Sequence, residues 1–447
     1  MKKNRSIYIT AICTVLMLTA CNKQLDLKPH QEIEQEQAIL TSRDVQITLV
    51  GAYNRLGQSD LYGGGVELYP DLLASQSVMR WQGTYQELTQ IVGQTIPNDN
   101  TYIAALWLDA YEVINQTNNV LANIEKADED IRADISGQAK FLRGLVYFDL
   151  VRLFGKSYND GSPTVNLGVP IVLTPTKVVD ESSKVSRATV EQVYQQAITD
   201  LKDAEATMDK PSQASAILAR LYLQKGDYVN AVIEADKVLG SGDYTLVKPY
   251  SAEFPNTGGH VDDTSEDIFS LQVTAQQGNN SLNTYYASAD NGGRGDIIIR
   301  DSFLEEFETG DERLNVYNLD SDDILRVSKF DNLYGNVRVV RLAEMYLIRA
   351  EGNLRLSTAT GDTPKNDVNA IRNRAGLGDL ATVTIADVLA ERRHELAFEG
   401  GFFLHDAKRL ALNVGALPYS SPKLVFPIPL REINANPNLK QNEGYGQ

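Results

Sequence analysis

Residues 216–239 read AILARLYLQKGDYVNAVIEADKVL. Two apolar stripes at helical spacing flank Lys225-Gly226-Asp227, a turn signal, so the stretch predicts two helices folded back on each other. Ala219, Tyr222, Gly226, Tyr228, Ala231 and Ala235 place small residues where two helices must approach closely. Such a pair cannot bury both of its apolar faces by itself. Three or more stacked units are normally required.

The spacing resembles one tetratricopeptide unit, and more degenerate partners can be sought on either side. Tyr102 to Ile124 carries Leu106, Ala110, Val113, Ile114, Val120 and Leu121 on one stripe. Gly137 to Phe154 is nearly solid with apolar residues: Phe141, Leu142, Leu145, Val146, Phe148, Leu150 and Leu153. The segments 102–124 with 138–154, and 338–356 with 364–375, are expected to pair in the same way. A shorter stripe, Val45, Leu49, Ala52 and Tyr53, lies in 44–54, and 186–239 is read as two helical stretches and a turn. Between them, 158–175 and 248–331 are rich in Gly, Asn, Ser, Asp and Pro, with short strand-like pieces in GVPIVL, DIFSLQV and DIIIR. The expected fold is mainly α: a tetratricopeptide-like scaffold of helical pairs with loop-rich insertions and a few short strands. An insertion as long as 248–331 is uncommon unless it has a function of its own.

The chain opens MKKNRS and continues apolar from Ile7 to Ala20, which is the layout of a secretory leader and is too short for a membrane span of roughly 20 residues. Leu18-Thr19-Ala20-Cys21 resembles a bacterial lipobox, in which the leader (1–20) is cut before a cysteine that forms a thioether to a diacylglycerol. Cys21 is the expected lipid attachment, 21–36 a polar tether, and 37–447 a single body. With Cys13 removed and Cys21 acylated no disulfide can form, so a buried core must supply the stability. The formal charge is −17, and the leader carries Lys2, Lys3 and Arg5 but no acid, so the mature chain is more acidic still. Nucleic acid is excluded as a partner, because binding it requires basic patches. An acidic body gains nothing from anionic lipid either. Attachment must come from acyl chains, at about 0.8 kcal/mol per buried CH₂.

No catalytic motif is present. HELAF at 394–398 lacks the second histidine of a zinc helix, since Phe398 stands there. His394 and His405 could share a helical face with Glu391, Glu395, Glu399 and Asp406, but the simpler reading is a charged face with local ion pairs. NGGRGD at 291–296 reads as a turn, and LDSDDIL and YNDGSP lack the ligand spacing of a calcium loop. No metal, cofactor or catalytic residue is therefore expected. The remaining chemistry lies in aromatics set in polar loops: Trp81 and Tyr85, and Tyr285 with Tyr286. Sugar rings present apolar C–H faces on which such side chains stack, while neighbouring polar groups bond the hydroxyls. These four are the candidate ligand contacts, against the plainer reading that they anchor their loops.

Seven phrases in order, LWLDAYEVINQTNNVLANI, GQAKFLRGLVYFDLVRLFG, the stretch quoted first, VRVVRLAEMYLIRAEGNLR, VNAIRNRAGL, ERRHELAFEGG and FPIPLREINANPNLKQNEGYG, resemble the SusD/RagB family of outer-membrane lipoproteins. The resemblance spans essentially the whole chain and implies an N-terminal SusD-like part at about 37–245 and a C-terminal RagB/SusD part at about 246–447. It implies a surface-exposed, lipid-anchored, non-enzymatic nutrient-binding subunit of the outer membrane. Its ligand would be an oligosaccharide or peptide, and it would cap a SusC-like TonB-dependent barrel. In the family, FEG is followed by an arginine, an aromatic and an aspartate; here Phe402 holds the arginine's position and Asp406 sits one residue late. A lipid-anchored glycosidase and a tetratricopeptide-like envelope adaptor are the alternatives.

Overall fold

The computed structural model describes residues 39–178 and 180–446; the leader and the whole tether, Cys21 included, lie outside the described residues. Among these residues there are fifteen α-helices and three two-stranded antiparallel sheets.

Helix α1 (Ser42–Leu56) opens on a capping box: the Thr41 hydroxyl accepts from the Asp44 N–H, and the Asp44 carboxylate accepts from the Thr41 N–H. Helix α2 (Gly65–Ala74) is buried on every side from Gly65 to Leu73, the two acids Glu67 and Asp71 included, which makes it a central helix of the fold. Strand β1 (Met79–Trp81) and α3 (Gln86–Val92) follow. Then come the scaffold helices α4 (Thr101–Ala122), α5 (Glu129–Phe154), α6 (Val190–Thr207), α7 (Pro211–Lys225) and α8 (Tyr228–Ser241). Each of these packs on the next, and α1 packs on α4. Helix α5 is the hub; its Phe141, Leu142, Leu145, Phe148 and Leu153 are all buried, and each such side chain contributes about 1.5–3 kcal/mol. Its C-terminus receives the end of the chain. Lys408 Nζ donates to the Arg152 carbonyl, and Arg187 and Asn442 donate to that of Phe154, placing cations at the negative end of the helix.

The insertion contributes β2 (Asp267–Leu271), α9 (Ser281–Tyr286), β3 (Ile297–Ile299), α10 (Asp301–Leu304), β4 (Tyr317–Leu319), β5 (Leu325–Val327) and β6 (Val337–Arg341). Strand β1 pairs with β3, β2 with β6 and β4 with β5. Helix α11 (Leu342–Leu356) returns to pack on α8, so the scaffold resumes after the insertion. Helices α12 (Pro364–Arg374) and α13 (Ile385–Glu395) pack on α11, α14 (Phe402–Arg409) packs on α2, and α15 (Leu430–Ala435) lies near the end. The fold is the mainly α, tetratricopeptide-like one expected.

Three expectations need correction. The stretch 186–239 holds three helices, α6 to α8, because Pro211 opens a new helix at its N1 position after the break at Met208–Lys210. The helix expected from 338 begins only at Leu342; VRVVR is strand β6, as its β-branched alternation allows. Finally, His394 and His405 share no face, since they lie on different helices, and the acids around them are not a solvated surface. Arg341 Nη1 lies 2.6 Å from both Glu266 and Glu395, and its Nε lies 2.7 Å from Glu399. Arg374 joins Glu266 and Glu395, Arg313 joins Asp311 and Glu391, and Lys329 joins Glu399. All of these side chains are buried. Each carboxylate meets a cation, which offsets the desolvation that would otherwise forbid charge there.

Candidate functional site

Pairing of β1 with β3 brings Trp81 opposite Ile297, and the Gln82 N–H donates to the Asp296 carbonyl at 2.8 Å. Residues from two loops more than 200 apart in sequence thus share one surface. Trp81 is half-buried, and its indole Nε1 donates to Thr89 Oγ1 at 3.0 Å. Gly83 lies under the indole: a Cβ there would fall 2.2 Å from Trp81 Cζ2, so only glycine lets the ring adopt this pose. Helix α9 is set by Asn280, whose side chain accepts from the Asn283 N–H, and by the Ser281 N–H donating to the Gly63 carbonyl at 2.7 Å.

Three of the four candidate aromatics come together. The Trp81 and Tyr285 rings are 6.0 Å apart at 48°, and Tyr85 meets Tyr285 edge-on at 6.1 Å. Tyr85 is exposed, whereas Tyr285 presents only a narrow edge at 8% exposure. Tyr286 does not join them. It is fully buried between Phe330 and Phe398 and donates its hydroxyl to Asp71, so the expectation that it contacts a ligand is withdrawn. Adjacent residues on a helix point about 100° apart, so when Tyr285 faces the rim Tyr286 must face the core.

The sequence reading missed the rest of the cluster. Tyr102 on α4 meets Tyr85 at 6.2 Å and Tyr69 at 5.9 Å, and Tyr69 donates to Asp60 Oδ1 at 2.6 Å. Burial and the hydrogen bond with Tyr102 hold the Tyr285 phenol far above its ordinary pKa, and burial also raises Tyr69 and Tyr102. All three stay neutral donors. Beside them opens a cleft of about 440 Å³ lined by Ser59, Asp60, Tyr69, Thr101, Tyr102 and Tyr285 among others. That volume is within the range of small-ligand pockets.

Arg294, from the NGGRGD turn, lies 4.7 Å over the Tyr85 ring, with Nε on Asp296 Oδ2 at 2.9 Å and Nη2 on Thr84 Oγ1 at 3.3 Å. The turn has the expected positive φ at Gly292 and Gly295. It is pinned from below by Arg326 of β5, whose Nη1 donates to the carbonyls of Gly295 and Ile297. Asp320, one of the acids of LDSDDIL, holds Arg326 Nε at 2.8 Å. That acid therefore supports the site through a guanidinium. The signals for Tyr102 and Arg294 were in the sequence, but one read as part of a helix stripe and the other as part of a turn.

The two departures noted after FEG are also explained. Phe402 lies beneath two guanidiniums, at 5.1 Å from Arg220 and 4.4 Å from Arg392, and Asp406 pairs with Arg392 and Arg409. Burial keeps His405 neutral, far below its ordinary pKa, and burial together with Arg313 lowers His394 to about 4.

Comparison with known proteins gives a consistent result. Residues 23–223 match the family described as starch-binding associating with outer membrane, and 326–411 match the SusD family. SusD-like protein P2 of Formosa agariphila is 25% identical, with 98% of this chain and 99% of that protein covered. The starch-binding protein SusD of Bacteroides thetaiotaomicron is 34% identical over 125 residues, 25% of this chain and 22% of that one. A solved SusD superfamily protein from Bacteroides thetaiotaomicron superposes with a TM-score of 0.80 at 26% identity, covering 90% of this chain and 99% of that chain. On its sequence and its fold alike, the chain belongs to the SusD/RagB family.

Proposed function

We propose that the protein is a lipid-anchored, surface-exposed binding subunit that captures oligosaccharide and passes it to a SusC-like TonB-dependent barrel. The observation that carries this reading is the joined group of Trp81, Tyr85 and Tyr285 beside a hydroxyl-lined cleft. Aromatic faces suit the C–H side of a pyranose, and Asp60, Tyr102 and Arg294 offer acceptor and donors for its hydroxyls. The outer-membrane starch-binding description of the family and the name of the SusD relative support sugar as the ligand class. Tyr102 and Arg294 take the place of Tyr286 among the proposed contacts.

Capture without bond cleavage fits the same lining. A glycosidase of the common kind uses two carboxyls flanking the bond, and Asp60 is the one acid among the residues lining the cleft. No helix among the described residues is long and apolar enough to cross a membrane. Acylation of Cys21 is the attachment we propose, and the exposed scaffold faces offer the barrel its contact.

Calorimetry of the purified protein against neutral oligosaccharides, α-glucans first, and against a set of oligopeptides tests the ligand. Trp81→Ala is expected to weaken glycan binding about tenfold with an unchanged thermal midpoint. Trp81-dependent binding of peptides alone would replace sugar by peptide. Mild-detergent isolation from the native outer membrane should co-purify a large barrel, and Cys21→Ser should release the protein from the membrane fraction.

A further inference from the structure

Asp60 lies in the loop between α1 and α2, half-buried, and is the one charged residue lining the aromatic cleft among the described residues. Its Oδ1 accepts from the Tyr69 hydroxyl at 2.6 Å and its Oδ2 from Ser59 Oγ at 3.3 Å. Both donors are neutral, and among the described residues no cation pairs with this carboxylate. The guanidiniums of the neighbourhood are engaged elsewhere: Arg55 by Asp109 at 2.8 Å and by Glu112, and Arg294 by Asp296 at 2.9 Å.

The other charges felt here are negative too. Burial first, then repulsion from Asp60 and Glu112, lifts Asp109 to about 6 against the pull of Arg55. After burial, Asp60 and Glu87 both act to raise the Tyr102 phenol. The interior acids Glu266, Glu395 and Glu399 each meet Arg341, whereas Asp60 keeps an uncompensated charge at the edge of a cleft. Solvent screens that charge while the cleft is open. A ligand seated there takes the solvent away, and covering an unpaired carboxylate is costly. A sugar hydroxyl gives back one hydrogen bond but no charge. An ammonium gives back both, in a charge-assisted bond, and the half-buried Tyr102 ring beside it adds a cation–π contact. The aromatic group already seats one cation in this way, Arg294 at 4.7 Å over Tyr85.

We propose that the aromatic cleft selects a glycan bearing a free primary amine, its ammonium on Asp60 Oδ2 and its ring against Tyr102 and Tyr285. The inference rests on this cleft being the sugar site and adds the class of sugar. Oδ2 is the freer oxygen, since its contact with Ser59 is long while Tyr69 holds Oδ1 closely. Acetylation of the amine removes the charge that Asp60 lacks, so the N-acetylated sugar falls back to the level of a neutral one. The formal charge of −17 draws a cationic chain toward the protein in the first place.

The test is calorimetry on the purified full chain carrying Cys21→Ser, with three tetrasaccharides of one β-1,4-linked backbone that differ only at C2: amine, N-acetylamine and hydroxyl. At about pH 6, below the usual pKa of an α-amino group, the amine form is expected to bind at least about tenfold more tightly than either of the others. Raising salt from about 0.02 to about 0.5 M should narrow that preference. Asp60→Asn keeps an acceptor for Tyr69 and removes the charge, so its preference for amine over hydroxyl should fall below about twofold, with the thermal midpoint reporting that the variant is folded. Equal affinity of the wild type for the amine and hydroxyl forms would overturn the inference and leave the cleft a neutral-sugar site. A preference that survives Asp60→Asn would overturn it too, and so would failure of the amine form to bind while α-glucans bind through Trp81. Asp60-dependent binding of a lysine peptide, with no saccharide bound, would instead overturn the sugar reading itself.

Discussion

Glu67 shows how a single buried carboxyl makes the whole fold pH-dependent. It lies on α2 facing Glu399 and Asp71, and burial first, then those neighbouring acids, push its pKa up to about 8. In the unfolded chain it titrates near 4.5. Folding thus takes up a proton between these values. The favourable contribution is fully present below pH 4.5 and is lost as pH rises through 8, a cost of at most about 5 kcal/mol. Glu67→Gln keeps the shape without the charge. It is expected to raise the thermal midpoint by about 4 °C at pH 8 and by no more than about 1 °C at pH 5, read by calorimetry across that range. At the same scale the sequence was partly legible. Trp81, Tyr85 and Tyr285 stood out as aromatics in polar loops and do meet; Tyr286 was indistinguishable from its neighbour because side-chain direction on a short helix cannot be read from composition.

Among the elements, the turn between α13 and α14 bears most on packing. Phe398, Gly400 and Gly401 all have positive φ, so the chain reverses within a few residues and delivers Glu399 to Arg341 and Phe402 to Arg392. A Cβ on Gly401 would lie 2.5 Å from Pro70 Cγ of α2, so the glycine is needed both for its conformation and for the close approach. Gly401→Ala should cost about 2–4 kcal/mol, and Pro70→Ala in the same chain should recover part of it, as denaturant titration of the two single variants and the double would show. Helices were legible where the apolar stripe is long, as in α4 and α5; the capping boxes of Thr41 with Asp44 and of Thr384 with Asp387, which open α1 and α13, are equally local signals that the reading did not use. The extent of β6 was not legible, since VRVVR runs straight into α11 and only pairing with β2 decides between strand and helix.

Across the whole molecule, charge is divided into two populations. The exposed surface carries the excess of acid behind the formal −17, while the interior holds Arg313, Arg341, Arg374 and their carboxylates at near balance. Sequence alone could not separate the two, because a glutamate written in a helix looks solvated until its guanidinium arrives from elsewhere in the chain. The acidic surface predicts selectivity. Binding of a neutral oligosaccharide should change less than about twofold between low and high salt, whereas a polyanionic glycan should bind only once salt screens the repulsion. Calorimetry at two ionic strengths checks both. The aromatic site has one more consequence. The chain has two tryptophans, and Trp107 is sealed at 3% exposure between Tyr111 and Phe154, leaving Trp81 as the one that solvent and ligand can reach. Acrylamide should quench Trp81 alone, and a bound sugar should shield it and shift its emission to the blue, so the protein supplies its own optical gauge of occupancy without any attached dye.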